Sequence, residues 1–238
     1  MAFDLERARQ TTPARLAVGR AGSRPPTAAW LAFQRDHAAA QDAVWSVWSN
    51  DFLARLRAAG FVVVASTAPD RATYVRRPPL GRAIGLETLD AIRRASPPGD
   101  GASPRIQLVL SDGLSARAAE AHFERLHAGL HRHLATLGTL AVPIAVTNGR
   151  VAVADAIGAV VGATLVVHVI GERPGLASPD SLGCYLTWKP GPGTTDADRK
   201  CISNIRPAGL APDEAGATIA GVCRRILDAG TSGTALVL

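Results

Sequence analysis

Apolar residues recur at helical spacing from Thr27 to Gly60. One stretch carries Trp30, Leu31, Phe33 and His37, and the other Val44, Trp45, Trp48, Phe52, Leu53 and Leu56. The spacing predicts two helices, with Gly60 placed to end the second, because glycine accepts the left-handed conformation that closes a helix. Phe61 to Ser66 and Thr73 to Arg76 are short β-branched runs, and a helix is predicted from after Pro78-Pro79-Leu80-Gly81 through Arg94. From Arg105 the pattern becomes more regular. Arg105-Ile106-Gln107-Leu108-Val109-Leu110 predicts a buried strand, followed by a long helix carrying Ala118, Phe123, Leu126, Leu130 and Leu134. Val142 to Val146 predicts a second strand, and Asn148-Gly149 is a turn signal that brings Val151 into a new extended segment. A helix over Ala154 to Gly162, strands over Thr164 to Ile170 and Cys184 to Trp188, and a closing helix from Pro212 to about Asp228 complete the pattern. Strands alternating with helices imply an α/β fold, a parallel sheet with helices on both faces.

Punctuation divides the chain. Gly19-Arg20-Ala21-Gly22-Ser23-Arg24-Pro25-Pro26-Thr27 cannot be helix interior and reads as an ordered turn or linker, while the Pro- and Gly-rich stretch Ser96 to Pro104 marks the start of the main domain. No internal repeat is visible. The length of 238 residues allows one substantial core and a smaller accessory segment. Hydrophobic residues at 47% and charged residues at 19% exclude the disordered class. Apolar stretches such as Ala159 to Ile170 are interrupted by glycine or His168 and fall short of the roughly 20 residues of a membrane span. Met1 to Gln10 has no apolar core of the kind a secretory signal needs, so the cytoplasm is the expected compartment. Cys184, Cys201 and Cys223 are an odd set without zinc-site spacing and are expected as reduced thiols.

The formal charge of +6 is uneven: residues 1–105 hold fifteen arginines against nine acids, and the remainder eleven basic against eleven acidic residues. The arginines alternate with acids and lack an aromatic platform, which argues against nucleic acid as a partner. Two loops follow apolar strands directly, Asp112-Gly113 and Gly171-Glu172-Arg173. In an open parallel sheet ligands bind beyond the carboxyl ends of the strands. There glycine lets backbone approach a ligand and an acidic side chain offers acceptors; the same glycines equally make tight βα turns. No glycine-rich dinucleotide fingerprint and no phosphate-binding P-loop follows any strand. His127, His131 and His133 lie beside Arg125 and Arg132 on an amphipathic helix and read as a partly solvated face. Cys201, with Arg199 and Lys200 available to lower its pKa, reads as a packed or ligand-touching thiol.

Several segments carry a family resemblance in order along the chain: Gly19-Arg20-Ala21-Gly22-Ser23-Arg24-Pro25, Asp36-His37-Ala38, Arg77-Pro78 with Gly81-Arg82, and Ser111-Asp112-Gly113-Leu114-Ser115. Gly171-Glu172-Arg173-Pro174-Gly175-Leu176 with Ser181-Leu182 follows, then Asp198-Arg199-Lys200-Cys201-Ile202-Ser203-Asn204-Ile205. Together they resemble the small (light) subunit of ethanolamine ammonia-lyase, from about residue 13 to about residue 230. The resemblance implies an enzyme that deaminates ethanolamine to acetaldehyde and ammonia by a radical route using adenosylcobalamin. Its partner is a large catalytic subunit, a TIM barrel that binds substrate, in a hetero-oligomer of paired subunits. The cobalamin is expected at the subunit interface, against a Rossmann-like domain of the small subunit.

The implied organisation is residues 1–26 as an N-terminal arm, 27–100 as a small, mainly helical domain and 101–238 as a Rossmann-like α/β domain. Positions matching the family's cobalamin contacts are Val151, Glu172 and Cys201. No catalytic acid, base or nucleophile and no metal ligand is expected in this chain. The cofactor is expected to keep its own dimethylbenzimidazole on cobalt, since the Asp-x-His-x-x-Gly segment of histidine-ligated cobalamin enzymes is absent. Family members packaged in bacterial microcompartments often carry a longer amphipathic N-terminal extension, whereas about a dozen residues precede the matching region here. Two other classes compete with this reading: a stand-alone α/β nucleotide- or cofactor-binding module, and a purely structural assembly partner.

Overall fold

The computed structural model describes residues 4–12, 14–96, 101 and 103–237. Helices α1 (Leu5–Thr11), α2 (Thr27–Trp45) and α3 (Asn50–Ala58) precede strand β1 (Val62–Ala65); α4 (Arg71–Arg76), a 3-10 turn at Pro78–Arg82 and α5 (Leu86–Ala95) follow. The remainder runs β2 (Arg105–Ser111), α6 (Ala116–Leu134), β3 (Thr139–Leu140), β4 (Ile144–Thr147), α7 (Val153–Val161), β5 (Leu165–Gly171), β6 (Leu182–Trp188), β7 (Arg199–Ile205) and α8 (Pro212–Ala229). Among the described residues no helix is long and apolar enough to cross a membrane.

Side-chain caps start four of the α-helices. Asp4, Ser49, Asp70 and Ser115 each accept a hydrogen bond from the backbone three residues on, at Arg7, Phe52, Thr73 and Ala118, satisfying donors that a helix leaves open. The Asp70 cap explains why the β-branched run Thr73 to Arg76 is helical: cap and burial of Tyr74 override local propensity. Gly60 (φ 87°) follows the end of α3, and Gly162 (φ 64°) closes α7.

The seven strands form one sheet in the order β1-β4-β2-β5-β6-β7, with β3 paired to β2. β1, β4, β2, β3 and β5 run parallel to one another, while β6 is antiparallel both to β5 and to β7. The fold is thus α/β as expected, but the sheet is mixed. The ten residues between β5 and β6 hold a tight Gly175–Ser178 bridge and no crossover helix, so the chain turns back alongside β5. β1 comes from the N-terminal, mainly helical part and completes an edge of the sheet. Of the boundary stretch expected at Ser96 to Pro104, residues 97–100 and 102 lie outside the described residues.

Strand alternation sends side chains to two cores. Ile106, Leu108 and Leu110 of β2 with Leu165, Val167 and Val169 of β5 pack against α3, α6 and α8, around Phe52, Phe123, Leu126, Leu130 and Ile219. The opposite face puts Val109, Ile144, Val146 and Val166 against Ile92 of α5 and Val153 and Ile157 of α7. On that second face α5 and α7 cover the parallel strands. Among the described residues no α-helix packs on the extension formed by β6 and β7 on that face, and its other face is backed by α8.

Candidate functional site

A cavity of about 1050 Å³ lies over that uncovered part of the sheet. Its walls come from the ends of β2 and β5 (Gly113, Leu114, Gly171, Glu172, Arg173), the turn before α7 (Arg150, Val151, Ala152), the exposed face of β6 and β7 (Tyr185, Arg199, Ser203) and the β6–β7 connection (Thr194, Thr195, Asp196). Both loops singled out in the sequence therefore meet at one site, which continues from the strand ends onto the face of the antiparallel extension. The volume slightly exceeds the 300–1000 Å³ usual for small-molecule clefts.

The two loop glycines serve loop packing. A Cβ on Gly113 (φ 55°) would collide with the Gly171 carbonyl oxygen, and one on Gly171 with the carbonyl oxygens of Asp112 and Ser115. Their lack of side chains lets the ends of β2 and β5 touch each other, the tight-turn alternative, while Leu114 N donates to Gly171 O at 3.0 Å. Asp112 is likewise turned inward. Its carboxylate accepts from Asn148 N at 2.9 Å and Gly149 N at 3.1 Å, and pairs with Arg71 at 3.4 Å. Arg71 also donates to Gly113 O at 2.8 Å and Val44 O at 2.7 Å, tying α4 and the end of α2 to the loop. Burial pushes Asp112 up to about 6 against the attraction of Arg71 and the backbone donors, and it lowers Arg71 as well. Asp112 thus shapes the turn that presents Arg150 and Val151 and is not a free acceptor for a ligand.

Val151 stands in that turn and not in the expected extended segment. Asn148 adopts a left-handed conformation (φ 53°) and the chain enters α7 within a few residues; β4 has parallel neighbours on both sides, so no hairpin partner is available. The Val151 carbonyl accepts from His168 Nδ1 at 3.2 Å, and His168 Nε2 lies 2.8 Å from Ser111 Oγ. A carbonyl can only accept, so Nδ1 carries the proton and Nε2 accepts from the Ser111 hydroxyl. Burial depresses His168 to about 3, with Arg199 adding to the shift and the Val151 hydrogen bond opposing it. The ring is neutral.

Glu172 lies in the cavity wall, where its carboxylate accepts from Ser181 Oγ at 2.7 Å and Asn204 N at 3.2 Å, joining the β5–β6 connection to β7. Cys201 is exposed and paired in register with Tyr185; it shares a strand face with Arg199 and Ser203, which both line the cavity, and sits between them on its margin. Its thiol is raised, chiefly by burial, with Tyr185 opposing and Glu172 adding. The expected lowering fails because Lys200 points away to Leu236 O at 3.3 Å and Arg199 is engaged elsewhere. Arg199, almost wholly buried, pairs with Asp155 of α7 and with Asp196 Oδ1 at 2.6 Å, joining β7 to α7 and to the β6–β7 connection. Burial raises Asp155 against the pull of Arg199.

The structure therefore brings Val151 and Glu172 into one cavity with Cys201 at its margin. Sequence reading missed Tyr185, Arg150 and the Arg199 pairings. Arg199 lay within a quoted motif, but its partner Asp155 lies 44 residues away, and nothing in local pattern signals such a pair. The histidines form the partly solvated face expected: His127 is half buried, stacked on Phe123 and edge-on to Phe61 with ring centroids 5.2 and 5.4 Å away, while His131 and His133 are exposed.

The family described as ethanolamine ammonia-lyase light chain (EutC) matches residues 3–237. Among similar curated proteins, the ethanolamine ammonia-lyase small subunit of Bradyrhizobium diazoefficiens is 46% identical over 234 residues, covering 96% of this chain and 88% of the relative. The small subunits of Ralstonia nicotianae and Azotobacter vinelandii are 48% and 47% identical, each covering 85% of this chain and 76% of the relative.

Proposed function

Since the chain belongs to the ethanolamine ammonia-lyase light-chain family and is a subunit of an ammonia-lyase, we propose that it helps bind adenosylcobalamin where it meets a large catalytic subunit. The assembled enzyme converts ethanolamine, a vicinal amino alcohol, to acetaldehyde and ammonia by a radical route. The observation that carries this reading is the convergence of Val151 and Glu172 in one cavity of about 1050 Å³, with Cys201 on the same strand face as two lining residues.

The residues present fit such a group. The cavity is larger than a small metabolite needs, and hydroxyls of Ser178, Ser181, Thr194, Thr195 and Ser203, the Glu172 carboxylate and Arg82, Arg150 and Arg173 offer both donors and acceptors. The glycine-packed loop pair and the Asp112–Arg71 network make this wall rigid, and a preformed wall lowers the ordering cost of binding. When bound, adenosylcobalamin supplies radical chemistry through homolysis of its cobalt–carbon bond. This chain's own residues bind and orient it: Glu172 accepts from a donor on the cofactor, while Val151 and Cys201 give backbone and van der Waals contact. Chemistry on the substrate belongs to the partner. Exposed apolar side chains on and just beyond α2, Trp30, Leu31, Trp45 and Val47, support a partner that covers them.

The test is equilibrium binding of adenosylcobalamin to the co-expressed two-subunit complex. Glu172→Ala should weaken it roughly tenfold, the scale of one hydrogen bond to a charged group. Unchanged affinity in a folded complex would remove Glu172 from the site.

A further inference from the structure

Gly81-Arg82, one of the family motif segments, ends the 3-10 turn at Pro78–Arg82, and Arg82 lines the cavity. Gly81 lets this turn lie against the next stretch of wall. A Cβ there would meet the Tyr74 ring at 2.8 Å and Arg150 Cγ at 3.0 Å, and Gly81 O accepts from Arg150 N at 2.7 Å. Arg82 and Arg150, far apart in the chain, thereby stand on one wall. Arg150 is half buried, with its guanidinium carbon 4.6 Å from the centre of the Tyr74 ring and Nη2 donating to Tyr74 O at 3.2 Å. Tyr74 is 1% exposed and its hydroxyl donates to Gly149 O at 3.2 Å, so ring and backbone together fix the guanidinium. Among the described residues Nη1 and Nε of Arg150 find no acceptor, and Nε is buried.

The cavity holds a surplus of positive charge. Of its four lining arginines only Arg199 is neutralised, by Asp155 and Asp196, and even there Nε is buried without an acceptor although the side chain is 4% exposed. Arg82, Arg150 and Arg173 pair with no carboxylate among the described residues. The one other lining acid, Glu172, is held by Ser181 Oγ and Asn204 N, both uncharged. Three cations thus face one carboxylate. Guanidinium groups gathered round a cavity without counter-charge, with buried donors left open, are satisfied by a bound oxyanion. Each offers a planar fork of N–H donors that matches two oxygens of a phosphate.

We propose that Arg82 and Arg150 form an anion subsite in the cavity wall that takes a phosphate ester of the bound ligand. On the reading above, on which this inference rests, the ligand is adenosylcobalamin, which carries a phosphodiester in its nucleotide loop. The subsite holds the nucleotide end of the cofactor against this chain, while Glu172 accepts from a donor elsewhere on it. Arg150, pinned on Tyr74, is the fixed member of the pair, and the exposed Arg82 is the adaptable one.

The test is equilibrium binding of two corrinoids to the co-expressed two-subunit complex, followed by visible absorbance: adenosylcobinamide phosphate, and adenosylcobinamide, which lacks the phosphate. The native complex should bind the first roughly tenfold more tightly, the scale of one charge-assisted hydrogen bond. Arg150→Gln should reduce that preference to about twofold or less by weakening the first ligand alone. Arg82→Gln, at an exposed position, should reduce it about threefold, and it carries the test if Arg150→Gln does not assemble. No preference in the native complex, or a preference undiminished in the folded variants, overturns the subsite. Equal weakening of both ligands in Arg150→Gln makes Arg150 a packing residue and overturns its role. Inorganic phosphate that binds the native complex saturated with adenosylcobalamin, and not Arg150→Gln, overturns the assignment to the cofactor in favour of a free phosphate ester; calorimetric titration reads this. Failure of the native complex to bind any of the three corrinoids overturns the cofactor reading itself.

Discussion

Asp112, just past the end of β2, and His168, on the adjacent β5, are both buried, with opposite consequences for stability. Asp112 is raised from 3.8 to about 6, so its contribution to stability is complete below about pH 4 and is lost as pH rises through 6. His168 is depressed from 6.5 to about 3, so its contribution is complete above 6.5 and is lost as pH falls toward 3. Each effect is at most about 1.4 kcal/mol per pH unit, and between pH 4 and 6 they largely cancel. The His168 part appears alone in the difference between the native chain and His168→Asn. By urea unfolding, the native chain should lose about 2 kcal/mol relative to the variant between pH 6.5 and 5. A pH-independent difference would mean that the imidazole protonates as readily in the folded chain as in the unfolded one. At this scale the sequence showed where loop residues fall but not what they face. Asp112 was visible as an acid at a strand end, yet its partner Arg71 lies 41 residues earlier in a helix that local pattern read otherwise. Glu172 was visible as an acid after an apolar strand and Cys201 as a packed or ligand-touching thiol, whereas Val151 was legible only through the family resemblance.

The ends of β2 and β5 and the first turn of α6 act as one packed unit, since Gly113 meets Gly171 and Ser115 Oγ donates to Pro179 O at 2.9 Å. Gly113→Ala places a Cβ against the Gly171 carbonyl in a left-handed conformation that alanine disfavours. It should cost about 2 kcal/mol or more and loosen the cavity wall, measured as a lower urea midpoint with unchanged slope. A fully stable variant would show that the two loops can separate. The long helices α6 and α8 were legible in the sequence because each has one face committed to a core, and β2 and β5 because each is a largely apolar run buried on both faces. The antiparallel return of β6 and β7 was not, because strand direction depends on what connects the strands: the segment from Glu172 to Ser181 holds no crossover helix. β7 itself is hidden by its composition, with only Ile202 and Ile205 facing the core among polar neighbours.

Across the whole molecule, the sheet is covered on one face by α3, α6 and α8, and on the other by α5 and α7 as far as β5. The cavity occupies what is left open. The α2 region adds an apolar surface, with Trp30 48%, Leu31 57%, Trp45 51% and Val47 61% exposed. These side chains belong to neither core, and they should be buried on assembly. A Trp30→Ser/Trp45→Ser double variant should weaken association with the large subunit roughly tenfold or more while leaving the melting temperature of the isolated chain nearly unchanged, as size-exclusion and thermal-shift measurements can check. Unaltered assembly would move the interface elsewhere. The central claim is that this chain completes an adenosylcobalamin-dependent ammonia-lyase. Ethanolamine-dependent acetaldehyde formation tests it most directly, measured with adenosylcobalamin for this chain, its large-subunit partner and the two co-expressed. Activity in the co-expressed sample alone is the predicted result. Equal activity from the large subunit by itself, or none from a folded complex at saturating cofactor, would contradict it.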